Sequence, residues 1–503
     1  MPVPDSSHHR PPDGDLVHAP LVRWAAERPE QAAIIQDAHS DHARQLDFRQ
    51  LLQALSTRPP APPPAPGTVL LTSAADPLNL LLDFLAAIRQ GQCAAVADPD
   101  WPAPTHAGMA AALQQSTTSA ITPPRPDSPF YIGFTSGSTG LPKGFRRHHR
   151  SWVESFRVTL QTFGPIASGR VLAPGRMSHS LFLFGALLGL WTGGGTSVQS
   201  RFSAERTLAT LADGSCPVMV SVPSQLMLLI TAAQRRSQPP IPQLRLLLIT
   251  GSRWAHDHTA PLQALFPEAR IITFYGASET SYVSWMPAGT PSPPTAVGRP
   301  FANVQIRIGP SPSQPAAKPR SADSPHADTS PGLIWIRSPM VFMDYVNGHD
   351  ATAARREGDW LTVRDMGWLS ADGQLHLIGR ENRMIITQAK NLFPEEIETC
   401  LMSHPDITQA AVLGLPDPLR GQVVHAVLQC KSVCPPAAAT EGALPLQPLP
   451  AGLMAHCRQL LDPYKIPRHW WHWQGHWPMT ASGKTDLSRL YQALQSVLQT
   501  HLS

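Results

Sequence analysis

Between residues 68 and 97 the chain changes its hydrophobic period twice, and that switching constrains the fold more than any other feature. "TVLLTSA" (68–74) reads as a strand, "PLNLLLDFLAAIRQG" (77–91) as a helix ending at glycine, and "CAAVADP" (93–99) as a strand again. The pattern returns further on, where "PVMVSV" (217–222) leads into the helical "PSQLMLLITAAQRR" (223–236). "LRLLLIT" (244–250) and "RIITFYG" (270–276) follow. Continuous β-branched and apolar runs separated by helical segments are what parallel strands buried on both faces require. The expected class is therefore α/β.

After residue 290 the texture changes to short strands, "VQIRI", "GLIWIRS", "WLTVRD" and "QLHLIG", which suggest an antiparallel, β-barrel-like subdomain. From about residue 383 a smaller α+β pattern appears, with a helix at "FPEEIETCLMSH" and strands at "ITQAAVLGL" and "VVHAVLQC". Proline, at 54 of 503 residues, clusters between these regions. The stretches 57–67, 310–332 and 434–450 read as extended surface loops.

The whole-chain balance excludes several classes of partner. With 42% apolar residues, 15% charged residues and a formal net charge of +4, the chain suits a soluble globular protein and makes no case for nucleic acid. The one strongly basic run, "KGFRRHHR" (143–150), lacks an aromatic platform and reads as a solvated helix start or a phosphate contact. Six scattered cysteines form no metal-binding spacing and fit a reducing compartment. "MPVPDSSHHRPPDGD" lacks the pattern of a signal peptide. The most apolar segments fall short of a membrane span. The expectation is a cytoplasmic protein with no stable membrane insertion.

Against that background, "FTSGSTGLPKGF" (134–145) calls for a reason. It follows the strand-like "PFYI", and its glycines let backbone approach a ligand closely. Thr135, Ser136, Ser138 and Thr139 add hydroxyls, and Lys143 adds a mobile positive charge. The composition fits a phosphate loop. The spacing excludes the Walker type, in which the lysine directly follows the last glycine and precedes a hydroxyl.

Other stretches carry chemistry-bearing residues. "FYGASET" (274–280) gathers Tyr275, Gly276, Ser278 and Glu279; "WLTVRDMGW" (360–368) places Asp365 at the end of a strand. "LIGRENRMI" (377–385) places Arg380 after a glycine, and "PMTASGKTDLSRL" (478–490) places Lys484 in a Ser-Gly-Lys turn. Singly, each has a structural explanation. In this order they resemble the adenylate-forming superfamily: acyl- and aryl-CoA synthetases, adenylation domains of nonribosomal peptide synthetases, and luciferases. The resemblance runs from "LVRWAAERPEQAAII" (21–35) to the Ser-Gly-Lys turn and includes the histidine motif "SHS" (178–180).

That resemblance implies a large N-terminal AMP-binding domain over residues 1–381 and a small, mobile C-terminal domain over 382–503, hinged at Asn382. It implies ATP-dependent activation of a fatty or aryl acid to an acyl-adenylate, followed by transfer to the thiol of coenzyme A. The implied cofactors are ATP and Mg²⁺. Thr135, Ser136, Gly137, Ser138, Thr139, Gly140 and Lys143 would hold the polyphosphate. Tyr275 and Gly276 would pack on adenine, with Ser278 beside the α-phosphate and Glu279 on the metal. Asp365 would take the ribose hydroxyls, supported by Arg380. Lys484 would reach the acyl carboxylate and α-phosphate, and His179 would line the acid pocket.

Some residues depart from the pattern. Gln388 and Ala389 stand where the resemblance leads one to expect glycine beside the thiol arm, Arg364 replaces the glycine before Asp365, and Arg253-Trp254 is bulkier than expected near the acid. The alternatives are a stand-alone enzyme loading the phosphopantetheine of an acyl carrier protein, and a degenerate adenylate-binding protein without turnover.

Overall fold

The computed structural model describes residues 14–59, 67–72, 75–115, 123–135, 142–254, 256–313, 331–346, 354–387, 390–417, 421–431, 442–446, 448–479 and 485–500. The apolar runs at 217–222, 244–250 and 270–276 lie in its central sheet. Strands Val171–Ala173, Thr196–Val198, Val218–Ser221 and Leu246–Ile249 are buried at every residue. They pair in parallel, and Leu246–Ile249 pairs in parallel with Arg270–Ala277. Helix Ser180–Thr192 is buried from Phe182 onward and stops at Gly193, whose φ of +80° supplies the left-handed cap that favours glycine.

At Arg270–Ala277 the sheet changes character, because the next strand, Ser281–Pro287, turns back antiparallel. From there the hydrogen-bonded path continues through Ala296–Pro300, Leu375–Arg380, Asp365–Leu369 and Gly332–Arg337 to Trp360–Thr362. The short antiparallel strands are thus joined edge to edge to the parallel block. Asp365 opens a strand, contrary to the expectation that it ends one. Trp360–Thr362 stops three residues earlier, and Arg364 between them adopts φ +66°.

A second sheet holds Thr68–Leu71, Cys93–Val96 and Pro129–Thr135 in parallel, then Lys143–His148 and the short Asp344–Tyr345 antiparallel to it. Helix Pro77–Arg89 connects the first two strands. It starts with Pro77 in its first turn and an Asp76 side chain accepting from the Asn79 amide. The basic run at 143–150 does start a helix, with Arg150 exposed, but it is solvated only in part. Arg147 and His149 are each 1% exposed, Arg146 forms a two-bond pair with Asp344, and His148 caps helix His149–Phe163 by accepting from the Ser151 amide.

The third sheet is built from residues 385–474 and has its own apolar clusters. Helices Pro394–Met402 and Leu453–Leu460 contribute to one cluster, and Leu487–Thr500 packs on Trp471, Trp473 and Trp477 in the other. Within the proline-rich 434–450 stretch, Gly442–Pro445 is a strand paired with His469–Gln474, so that part is not a loop. Most of the other two proline-rich stretches lies outside the described residues. Among the described residues, no helix is long and apolar enough to cross a membrane.

Candidate active site

The hairpin formed by Arg270–Ala277 and Ser281–Pro287 carries the first group of expected site residues. Its register shifts between Tyr275 and Gly276. A Cβ on Gly276 would lie 1.9 Å from the Ser281 carbonyl oxygen, so only glycine permits the two strands to close here. The turn is pinned by buried Thr280, whose hydroxyl accepts from the Ala277 amide at 2.9 Å. Ser278 and Glu279 are thereby held at the tip, and Tyr275 at its base.

Asp365 and Arg380 arrive from a different part of the sheet and are direct cross-strand partners. Arg380 Nε donates to Asp365 Oδ1 at 2.9 Å, and Tyr275 Oη donates to Asp365 Oδ2 at 2.5 Å. Asp365 is 4% exposed, whereas the Arg380 side chain is half exposed. Burial, reinforced by the Asp365 charge, pushes the Tyr275 phenol well above its ordinary pKa and keeps it a donor. The Asp365 charge raises the Arg380 pKa in turn. The Arg364 amide donates to Thr362 Oγ1, and its guanidinium pairs with Glu381 at 2.8 Å, which fixes the backbone on either side of Asp365.

Glu279 is held at both its main chain and its side chain. Its carbonyl accepts from the Phe342 amide at 2.7 Å, and its Oε1 accepts from Tyr345 Oη at 2.7 Å. Beside it lies Arg147, donating to the Ser278 and Met340 carbonyls, to Ser281 Oγ at 2.6 Å and to Ser151 Oγ at 3.3 Å. Burial pulls the Arg147 pKa down to about 9, opposed by the charge of Glu279. Sequence reasoning missed both Arg147 and Tyr345. The first was folded into a basic run, and the second becomes relevant only because Asp344–Tyr345 pairs with Lys143–His148.

Of the phosphate stretch, Thr135 and Lys143 are opposed residues and form the last pair before the chain passes from one antiparallel strand to the next. Ser136, Gly137, Ser138, Thr139 and Gly140 lie outside the described residues, as do Gln388, Ala389 and Lys484. The Val346 amide donates to the Gly144 carbonyl at 2.8 Å, so the strand bearing Lys143 is stitched to the segment that holds Glu279. His179 occupies the N-cap of helix Ser180–Thr192, half-buried, with its ring edge-on to Phe182. Asn382 is exposed in the short turn Glu381–Arg383; the neighbouring Arg383 pairs with Glu395 and Glu398 of helix Pro394–Met402. Trp254 packs inward. It is 8% exposed in an apolar cluster and donates to Thr259 Oγ1, while Arg253 reaches Thr399 at 3.3 Å.

The hairpin thus carries the Tyr275–Asp365 contact, with half-exposed Arg380 beside it, at its base and a braced Glu279 at its tip, and a small α+β unit follows. The chain belongs to the AMP-binding enzyme family: the family's sequence profile matches residues 67–346, and that of the AMP-binding enzyme C-terminal domain matches 396–484. It is 35% identical over 376 residues to the uncharacterized acyl–CoA ligase YhfT of Bacillus subtilis, an alignment covering 74% of this chain and 70% of that one. The fold superposes on ATP-bound MatB from Rhodopseudomonas palustris with a TM-score of 0.75, at 17% identity, over 96% of this chain and 99% of that chain. It also superposes on o-succinylbenzoate coenzyme A synthetase (MenE) from Bacillus subtilis, in complex with ATP and magnesium ion, with a TM-score of 0.72. There the identity is 21%, over 94% of this chain and 98% of that chain.

Proposed function

We propose that this protein is an acid–thiol ligase: it activates a fatty or aryl carboxylic acid with ATP and passes the acyl group to the thiol of coenzyme A. The observation that carries the reading is the pairing of Asp365 with Arg380 and Tyr275 at one end of the 270–287 hairpin, with Glu279 at the other. That spacing suits a nucleotide lying along the hairpin, its ribose at Asp365 and its phosphates toward Glu279 and Lys143. The division into domains at 381/382 belongs to the same proposal. It is supported by the independent apolar clusters after residue 385.

A carboxylate is a weak electrophile, and adenylation remedies this. One acid oxygen attacks the α-phosphorus, the bond to the bridging oxygen breaks, and pyrophosphate leaves with its electron pair. In the second step the thiol attacks the acyl carbon, and AMP leaves. Both steps concentrate negative charge, so preorganised cations and amides lower the barrier. Lys143 and the 135–140 hydroxyls and amides would hold the β- and γ-phosphates, and Ser278 would sit beside the α-phosphate. Tyr275 and Gly276 would form the adenine side, with Asp365 orienting the ribose. Lys484 would neutralise charge between acid and α-phosphate, and His179 would border the acid.

Magnesium fits the donor set. Among the described residues no group of three or more His, Cys, Asp or Glu gathers into a protein-only cage. Mg²⁺ is commonly held by one or two carboxylates plus substrate phosphates, and Glu279 offers one carboxylate with a single oxygen engaged by Tyr345. Bound there, the ion would supply positive charge to the phosphate oxygens. The proposed setting is cytoplasmic. The deciding experiment is acid-dependent pyrophosphate release across fatty, aryl and amino acids, with coenzyme A and a phosphopantetheinylated carrier compared as acceptors. Release with thioester formed only on the carrier supports the carrier-loading alternative; no release with any acid refutes both.

A further inference from the structure

We infer that Tyr345 and Arg147 are positioning residues for the nucleotide-bound metal, acting through Glu279 as two arms of one brace. The inference rests on the reading of Glu279 as the carboxylate that meets Mg²⁺·ATP.

The brace is a segment, residues 340–346, laid between the strand that bears Lys143 and the 278–281 turn. On one side the Met343 amide donates to the Arg146 carbonyl at 2.8 Å, the Val346 amide donates to the Gly144 carbonyl at 2.8 Å, and Arg146 pairs with Asp344. On the other side the Phe342 amide holds the Glu279 carbonyl and the Tyr345 hydroxyl holds Glu279 Oε1, each at 2.7 Å. The Phe342 ring lies edge-on to Tyr345 at 4.9 Å and limits the swing of the phenol. A carboxylate with one oxygen tied in this way cannot spin freely, so the direction of its second oxygen is set before a metal arrives.

Arg147 completes the brace from below. It is 1% exposed, and its hydrogen bonds go to two carbonyls and two hydroxyls rather than to a carboxylate. Burying a guanidinium without a directly bonded anion is costly. Here the same five-donor fork ties the Ser278 carbonyl, the Met340 carbonyl and the Ser281 hydroxyl into one unit and puts positive charge beside Glu279. The phosphate strand, the metal carboxylate and the α-phosphate turn are therefore mechanically one piece.

The test is calorimetric titration of the full chain with ATP, in Mg²⁺ and separately in EDTA, for Tyr345→Phe, Arg147→Lys and Glu279→Gln. The affinity gained on adding Mg²⁺ is the readout, because a purely structural role would not move it. For Tyr345→Phe, which keeps the ring and its packing, the gain should shrink about tenfold, with affinity in EDTA unchanged. Arg147→Lys, which keeps the charge but not the fork, should shrink it in the same direction. An undiminished gain in Tyr345→Phe, or equal losses in Mg²⁺ and EDTA, overturns the inference. If Glu279→Gln loses the gain while Tyr345→Phe keeps it, the brace fails alone. If Glu279→Gln keeps it, the metal reading of Glu279 fails and takes the brace with it.

Discussion

Asp365→Asn offers the sharpest check on where the ribose lies. The carboxylate accepts from Tyr275 Oη at 2.5 Å and from Arg380 Nε at 2.9 Å, in a side chain almost wholly buried. Asparagine keeps the shape but has one accepting oxygen. If that oxygen faces Arg380, the amide must donate toward Tyr275, whose hydroxyl then has to rotate. A hydrogen bond to a charged group is worth about 1.5–3 kcal/mol. The half-exposed Arg380 recovers much of its share from water, so the structural cost should be about 1–2 kcal/mol and the protein should stay folded. The functional cost is separate. A carboxylate can accept from both ribose hydroxyls, and the amide cannot, so ATP affinity should fall roughly 10- to 100-fold. The assay is acid-dependent pyrophosphate release with ATP and with 2′-deoxy-ATP. The native protein should prefer ATP, and Asp365→Asn should lose most of that preference through the KM of ATP. If the preference survives intact, Asp365 does not hold the ribose and is only a structural partner of Tyr275 and Arg380.

Lys484→Ala should lower adenylate formation at least about a hundredfold, or about 3 kcal/mol, and leave transfer from a supplied acyl-adenylate to coenzyme A largely intact; equal losses in both half-reactions would count against its role. Acid should destabilise the fold through buried imidazoles. His425 accepts from Trp471 Nε1 at 3.0 Å, and burial, with His469 beside it, lowers its pKa to about 4; His18 and His148 are lowered to about 4 by burial as well. Because the folded pKa lies below the unfolded value of about 6.5, this stability is complete above pH 6.5 and is lost as the pH falls toward 4, by ~1–2 kcal/mol per imidazole at pH 5. A thermal midpoint that stays flat from pH 6.5 to 4.5, or a His425 resonance titrating near 6.5, would refute this.

The sequence by itself determined the parallel core, because unbroken apolar runs such as "LLLI" (246–249) have nowhere to go but a strand covered on both faces. It also supplied the site's inventory. Tyr275, Glu279, Asp365 and Arg380 were legible because glycines and turn residues fix their local setting and their order along the chain carries the resemblance. What it could not supply was pairing across distance. Nothing local to Asp365 shows that it opens a strand, or that Arg380 stands opposite it and Tyr275 beneath it; strand register decides that. The basic run misled for the same reason. A guanidinium's burial depends on which carbonyls surround it, and those at Ser278 and Met340 reach Arg147 only when hairpin and sheet edge close together. Tyr345 became a partner of Glu279, 66 residues away, through two short strands pairing at a sheet edge. Local chemistry is written residue by residue, whereas the contact between two such pieces depends on the free energy of the whole packed sheet.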